Sequence, residues 1–149
     1  IRHVAYGVKL AEEAGLPVVI RDFILTHHGR GMAKYFYIKY QNEHPNEIVD
    51  KEPFTYPGPN PSTREQAILM MVDTCEAASH SLKEYTEESI SKMVNTLVNQ
   101  QVLDGFFNEC RITFYDIAIA KQVLTERLKS IYHTRIQYPK SIVKQKNEG

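Results

Sequence analysis

Two adjacent imidazoles, His27 and His28, stand where an apolar segment from Val18 to Leu25 runs into Gly29. Further on, a single acid, Asp73, interrupts a second apolar run, Ala67 to Val72, and His3 opens the chain inside a third. Imidazole and carboxylate are ligands for first-row metals. A carboxylate at a core position is costly unless it is paired or metal-bound. The spacing is neither that of a zinc finger nor that of a zincin helix. Separate helices would have to bring His3, His27, His28 and Asp73 together, as di-metal helical bundles do. Taken singly, each residue has a plainer explanation. A histidine pair suits the C-terminus of a helix, where the dipole favours it, and a buried acid can be hydrogen-bonded to neighbouring helices. His44 and His133 lie in loop-like or end-of-helix settings and read as structural.

The elements that must position these residues are helical. Val4, Val8 and Ala11, with Leu10, form an apolar face that ends at Gly15. Pro17 suits the first turn of a second helix, which runs to His28 and stops at Gly29. Residues 31–42, rich in tyrosine, form a shorter third helix. Residues 43–61 hold five of the seven prolines and read as a long loop, which Phe54 and Tyr56 would pack back onto the domain. Ser62-Thr63-Arg64-Glu65 reads as a capping box, with Ser62 as the N-cap of a helix to about Leu82. Thr86 caps a helix to about Leu103, and Thr113 to Asp116 starts another to about Tyr132. No segment alternates at period two over a strand length. The class is all-α.

The chain has 149 residues, 42% of them hydrophobic, which is one domain's worth with enough apolar side chain for a core. Its 18 basic residues balance its 18 acidic ones. That argues against a nucleic-acid polymer as partner, but not against a small nucleotide. Cys75 and Cys110 form no disulfide framework and read as free buried thiols in a reducing compartment. No window is apolar enough to span a membrane. Ile1-Arg2-His3-Val4 reads as the inside of a helix with no cap before it, so the chain is expected to be part of a longer polypeptide. Residues 140–149 read as a polar, frayed tail, leaving residues 1–139 as the domain.

Several stretches together resemble the HD-domain phosphohydrolases. More narrowly, they resemble the cytoplasmic domain of the seven-transmembrane HD-domain phosphodiesterases that hydrolyse cyclic di-AMP. The matching residues are His3-Val4 with Gly7, Leu16-Pro17, Phe23-Ile24 with His27-His28-Gly29, and Tyr35-Phe36-Tyr37. They continue through Phe54-Thr55-Tyr56-Pro57-Gly58-Pro59, Pro61-Ser62-Thr63-Arg64-Glu65, Asp73 with Glu76-Ala77-Ala78-Ser79, and Tyr132-His133-Thr134-Arg135-Ile136 with Tyr138-Pro139. The resemblance implies an HD-type helical bundle, of which this chain is the C-terminal portion. It implies a site for two divalent ions, iron or manganese, whose ligands run in the order His, His-Asp dyad, His, His-His pair, Asp. His3, His27 and His28, and Asp73 match the last of these positions; the first His and the dyad have no match here and would lie upstream of Ile1.

The chemistry so implied is hydrolysis of a phosphodiester by a water held between two metals about 3.5–4 Å apart. His3, His27 and His28 would hold one metal and Asp73 the other. Arg64 would contact a phosphate, Tyr56 and Phe54 would stack on adenine, and His80 stands where the family pattern often has Arg. The substrate would be cyclic di-AMP, converted to a linear dinucleotide. The implied location is the cytoplasmic face of a bacterial membrane, in a membrane-anchored parent, with a homo-oligomer as an option. This stretch by itself would be inactive and would leave apolar surface uncovered. The competing readings are a nucleotide-sensing module without catalysis and an HD phosphohydrolase acting on another nucleotide.

Overall fold

In the computed structural model, residues 1–133 are described, and the polar tail expected at 140–149 lies outside them. The elements are α1 (Arg2–Glu13), α2 (Val18–Thr26), α3 (Lys34–Glu43), a 3-10 turn (Glu52–Phe54), α4 (Arg64–Ser79), α5 (Glu87–Leu103) and α6 (Phe114–His133). Among the described residues there is no strand. A single bridge between Met32 and Thr55 is the only β-type pairing there. The all-α expectation holds, and most helix boundaries fall within a few residues of those the sequence predicts.

The core belongs to α4, α5 and α6. Ala67, Met70, Met71 and Cys75 on α4 interlock with Ile90, Val94 and Val98 on α5 and with Ile117, Leu124 and Leu128 on α6. Their i, i+4 spacing on each helix is what makes one apolar face. At its far end the Tyr132 hydroxyl and the Ser79 hydroxyl share a buried hydrogen bond of 2.8 Å. Burial pushes the Cys75 thiol up to about 11, so it acts as an inert packing group. Cys110 is only half-buried, less than expected from the sequence, and both thiols are free.

The α1–α2 hairpin forms a smaller layer that docks on α4 through α2. Val4 and Ala11 of α1 are buried as predicted, but Leu10 points to solvent, 45% exposed. Val18, Val19 and Ile20 on α2, and Ile68, Leu69 and Val72 on α4, are also exposed. An uncovered apolar surface was expected, and these residues supply it.

The N-terminus of α4 corrects the predicted capping box. Thr63, not Ser62, is the N-cap, and its hydroxyl accepts from the Gln66 amide at 3.2 Å. The reciprocal partner is Gln66 rather than Glu65. The Gln66 side-chain oxygen accepts from the Ser62 amide at 2.9 Å and from the Ser62 hydroxyl at 3.2 Å. The shift by one residue follows from burial. Gln66 lies on the buried side of α4 while Glu65 faces solvent, so only Gln66 can satisfy the amide on the inner side. The start of α6 is as predicted, with Thr113 and Asp116 bonded reciprocally. Thr63→Ala should therefore cost about 1 kcal/mol of stability in chemical denaturation, and Glu65→Ala clearly less. Equal costs would restore the box to the register first read from the sequence.

Candidate metal centre and its flanking cavity

Helix α2 ends at Thr26, and the two following residues, His27 and His28, turn toward α1. The Gly29 that stops the helix has φ +50°, and a Cβ there would meet the Asn60 side-chain oxygen at 2.7 Å. Glycine is required on both counts. That Asn60 oxygen accepts from the Arg30 amide at 2.9 Å. The Tyr56 amide donates to Gly31 O at 2.8 Å, and the Ala33 amide donates to Phe54 O at 2.8 Å. The proline-rich segment is thus strapped across the α2–α3 connection. Phe54 packs inward against Tyr37 and Tyr40. Tyr56 is laid over His28, with ring centroids 4.4 Å apart and planes inclined by 29°.

His3, His27 and His28 converge. One ring nitrogen from each lies within 4.8 Å of the others, a geometry that could hold a metal ion. His3 Nε2 and His28 Nε2 are 3.1 Å apart. Two nitrogens bound to one metal at about 2.0–2.1 Å stand about 3 Å apart when the bonds are near right angles. The donor chemistry fits as well. His27 Nδ1 lies 2.7 Å from Ile24 O. An imidazole can only donate to a carbonyl, so Nδ1 carries the proton and Nε2 keeps its lone pair, the usual outer hydrogen bond of a metal-ligating histidine.

Asp73 sits beside this cluster rather than within it. Its Oδ2 is 3.4 Å from His28 Nδ1. The side chain is 41% exposed. This corrects the premise that Asp73 is a buried carboxylate: it lies at the rim where α4 meets α2, and no burial cost calls for a partner. Proximity suggests an ion pair with His28, but the imidazole titrates the other way. Burial first, then neighbouring His27, push His28 down to about 4, and Asp73 only partly opposes them. We take the contact as a neutral imidazole next to a carboxylate, because the desolvated histidine pair makes protonation unfavourable. His3 is also shifted down, chiefly by burial, and Tyr56 up, by burial and then by Asp73. Neutral imidazoles near pH 7 are what a cation requires.

The other predicted site residues stand apart. Arg64, the first residue of α4, faces α6 and pairs with Asp116 at 3.8 Å. It lies nine residues before Asp73, which is about 13 Å along the helix. His80 caps the other end of α4 and bonds Glu76 at 2.6 Å. His44 Nδ1 donates to Tyr40 O at 2.9 Å, at the end of its own helix, and the ring stacks on Tyr40. His133 ends α6.

Sequence reasoning missed a cavity of about 290 Å³ that opens beside His28. Tyr56, Met70, Leu97, Gln101 and Phe106 are among its walls. The available signal was Gln101, a polar residue continuing the buried stripe Ile90, Val94, Val98 of α5.

The chain is 38% identical over 139 residues to the cyclic-di-AMP phosphodiesterase PgpH of Listeria monocytogenes, covering 93% of this chain and 19% of that protein. It is 34% identical over 146 residues to the protein of the same name from Bacillus subtilis, covering 98% of this chain and 20% of that one. It also superposes on the crystal structure of the L. monocytogenes PgpH HD domain in complex with cyclic di-AMP. There the TM-score is 0.81 and the identity 36%, over 87% of this chain and 60% of that one. This chain is a homologue of the PgpH HD domain. It spans about a fifth of the length of the curated relatives it matches. No protein-family model matches it.

The depressed His28 has a consequence for stability. The unfolded chain takes up this proton near pH 6.5 and the folded chain near 4. Between those values the unfolded state binds more protons, so stability is full above about pH 6.5 and falls as the pH drops toward 4. Melting temperatures of the metal-free chain across that window should decline, and His28→Gln should flatten the decline. An unchanged slope in the variant would mean that other groups carry it.

Proposed function

We propose that this chain is the metal-binding portion of a phosphodiesterase that hydrolyses cyclic di-AMP to a linear dinucleotide. The observation that carries the reading is the convergence of His3, His27 and His28, with Asp73 and Tyr56 at their edge, in a homologue of the PgpH HD domain. Support for the substrate is that the similar solved domain was crystallised with cyclic di-AMP. We further propose that the intact protein is membrane-anchored and works on the cytoplasmic side with two divalent ions, iron or manganese. Among the described residues, no helix is long and apolar enough to cross a membrane.

When bound, such ions supply a Lewis acid for the phosphate and make an attacking water acidic enough to be a nucleophile near pH 7. The residues of this chain have three tasks. His3, His27 and His28 present nitrogen donors from three positions, held by helix α1, by the Ile24 carbonyl and by the stacked Tyr56. Asp73 places a negative charge on the α4 side of the cluster, where a second cation would be held. Tyr56 roofs the histidines and keeps water from one face of His28. Arg64 and His80 are proposed substrate contacts only in so far as the substrate extends along α4; their present partners are Asp116 and Glu76.

Three outcomes are expected. The 149-residue chain should bind one equivalent of zinc or nickel by calorimetry, weakened at least about tenfold by His27→Ala, and should not turn over cyclic di-AMP. Binding unaffected by His27→Ala would remove the histidines from the site. In the full-length protein, Asp73→Ala should abolish turnover of cyclic di-AMP with helix content and melting temperature little changed, since Asp73 is no core residue. Turnover at the parent rate would remove Asp73 from the site. Tyr56→Ala should weaken cyclic di-AMP affinity more than it lowers the melting temperature, and the opposite pattern would make it a packing residue.

A further inference from the structure

Helices α5 and α6 are antiparallel, since Glu87 pairs with Lys129 and Asn99 with Lys121, and residues 104–113 join them. Three large apolar side chains stand in water at the joined end: Phe114, 84% exposed, Leu103, 80%, and Tyr115, 74%. Among the described residues, Ile48 alone is a more exposed large apolar side chain. Beside them opens a cavity of about 300 Å³, with Val102, Phe107, Ile112, Phe114 and Ile117 among its walls. An apolar patch of this kind, unlike scattered single residues, marks an interaction site. Neither end of the described chain reaches it. Helix α1 packs on α2 and not on α5 or α6. Helix α6 carries the chain about 28 Å away before His133. Two charges flank the patch. Glu109 and Arg111 are exposed on either side of half-buried Cys110. Neither has an ion-pair partner among the described residues, whereas neighbouring Arg64 and Asp116 are paired with each other.

We propose that the joined end of α5 and α6 is a homodimer interface, closed by a second copy of this chain about a two-fold axis. Charge favours a second copy as the occupant. An acid and a base two residues apart make an edge that complements itself. A two-fold rotation that opposes residues 109–111 of two copies sets Arg111 of each against Glu109 of the other. An anionic lipid surface would attract Arg111 and repel Glu109. Shape has the same property, since each copy carries a projecting Leu103 and, beside it, a cavity that can receive an apolar side chain. Area is sufficient. Aromatic side chains bury about 150–250 Å² each, so Phe114, Tyr115 and Leu103 offer roughly 500 Å² per copy and about 1,000 Å² in the pair. That reaches the lower bound of a specific interface, where association is transient and dissociation constants are micromolar. None of these residues belongs to the metal centre, so the dimer and the metal reading stand or fall separately.

The test is analytical ultracentrifugation of the 149-residue chain with a chelator present, from about 1 to 500 µM. A monomer–dimer equilibrium with a micromolar constant is expected. Leu103→Glu and Phe114→Ser should each weaken it at least about tenfold, with helix content unchanged. Should Phe114→Ser fail to fold, Leu103→Glu carries the comparison, because that side chain stands almost wholly in water. Arg111→Glu and Glu109→Arg should each weaken the dimer at least about fivefold, since one reversal places like charges at two symmetry-related positions. The double reversal, Glu109→Arg with Arg111→Glu, should return the constant to within about twofold of the unaltered chain. Val19→Glu, in the other exposed apolar surface, should leave it unchanged. A chain that is monomeric at every concentration overturns the proposal and leaves the patch to a different occupant. So does a dimer that survives Leu103→Glu, or one that is lost in Val19→Glu. A double reversal no better than either single one overturns the two-fold arrangement.

Discussion

The site depends on the strap between two connections. Residues 54–60 are held across residues 29–33 by main-chain bonds from Tyr56 to Gly31 and from Ala33 to Phe54, and by the Asn60 side chain on the Arg30 amide. Without those bonds neither segment has regular structure to orient it, because Pro57 and Pro59 deny the first segment two of its amides and helical continuity. With them, Tyr56 has one place to go, over His28. Gly29 is the point where the strap and the helix end meet, and its lack of a Cβ lets Asn60 approach to a distance no side chain would allow. Small bonds between loops thus set the geometry of the imidazoles, while the large apolar core of α4, α5 and α6 stands aside.

Helix α4 carries both functions on different faces. Ala67, Met70, Met71 and Cys75 bury themselves against α5 and α6, and their loss from water is the main source of stability. Asp73 and Thr74 are on the flank toward α2 and the cavity, Asp73 next to His28 and Thr74 bonded to Gln101. The helix that anchors the fold therefore also fixes the carboxylate and the cavity wall against the histidines. Precise side-chain placement favours a site built on such rigid elements. The three histidines come instead from α1 and from the end of α2, the smaller layer, and are tied down by Ile24 O and by Tyr56. Desolvation and neighbouring positive charge lower His3 and His28, which suits those two to a cation and makes acid the condition that loosens them.

Much was legible in the residues alone. Period-3.6 apolar faces, Gly15, Gly29 and the Thr86 and Thr113 caps mark the helices, and an all-α chain follows. The histidines, and the aromatic loop that would pack back, were found by type and by resemblance. Local signals failed where burial decided between adjacent choices. Thr63 replaced Ser62 as cap because Gln66, not Glu65, faces inward. Leu10 proved exposed, since a four-residue apolar set does not say which of its members the neighbouring helix covers.

By itself the sequence determined the helical class, the order of the helices and the identity of the polar groups available for chemistry, because these follow from periodicity, capping and side-chain type. Only the tertiary structure decided that His3 meets His28 across 25 positions of chain, that Asp73 sits half-exposed at a rim rather than in the core, and that Gln101 borders a cavity next to them. Those outcomes turn on crossing angles and on how far one helix slides along another. These are set by the sum of many contacts between side chains distant in sequence, and no local pattern encodes that sum.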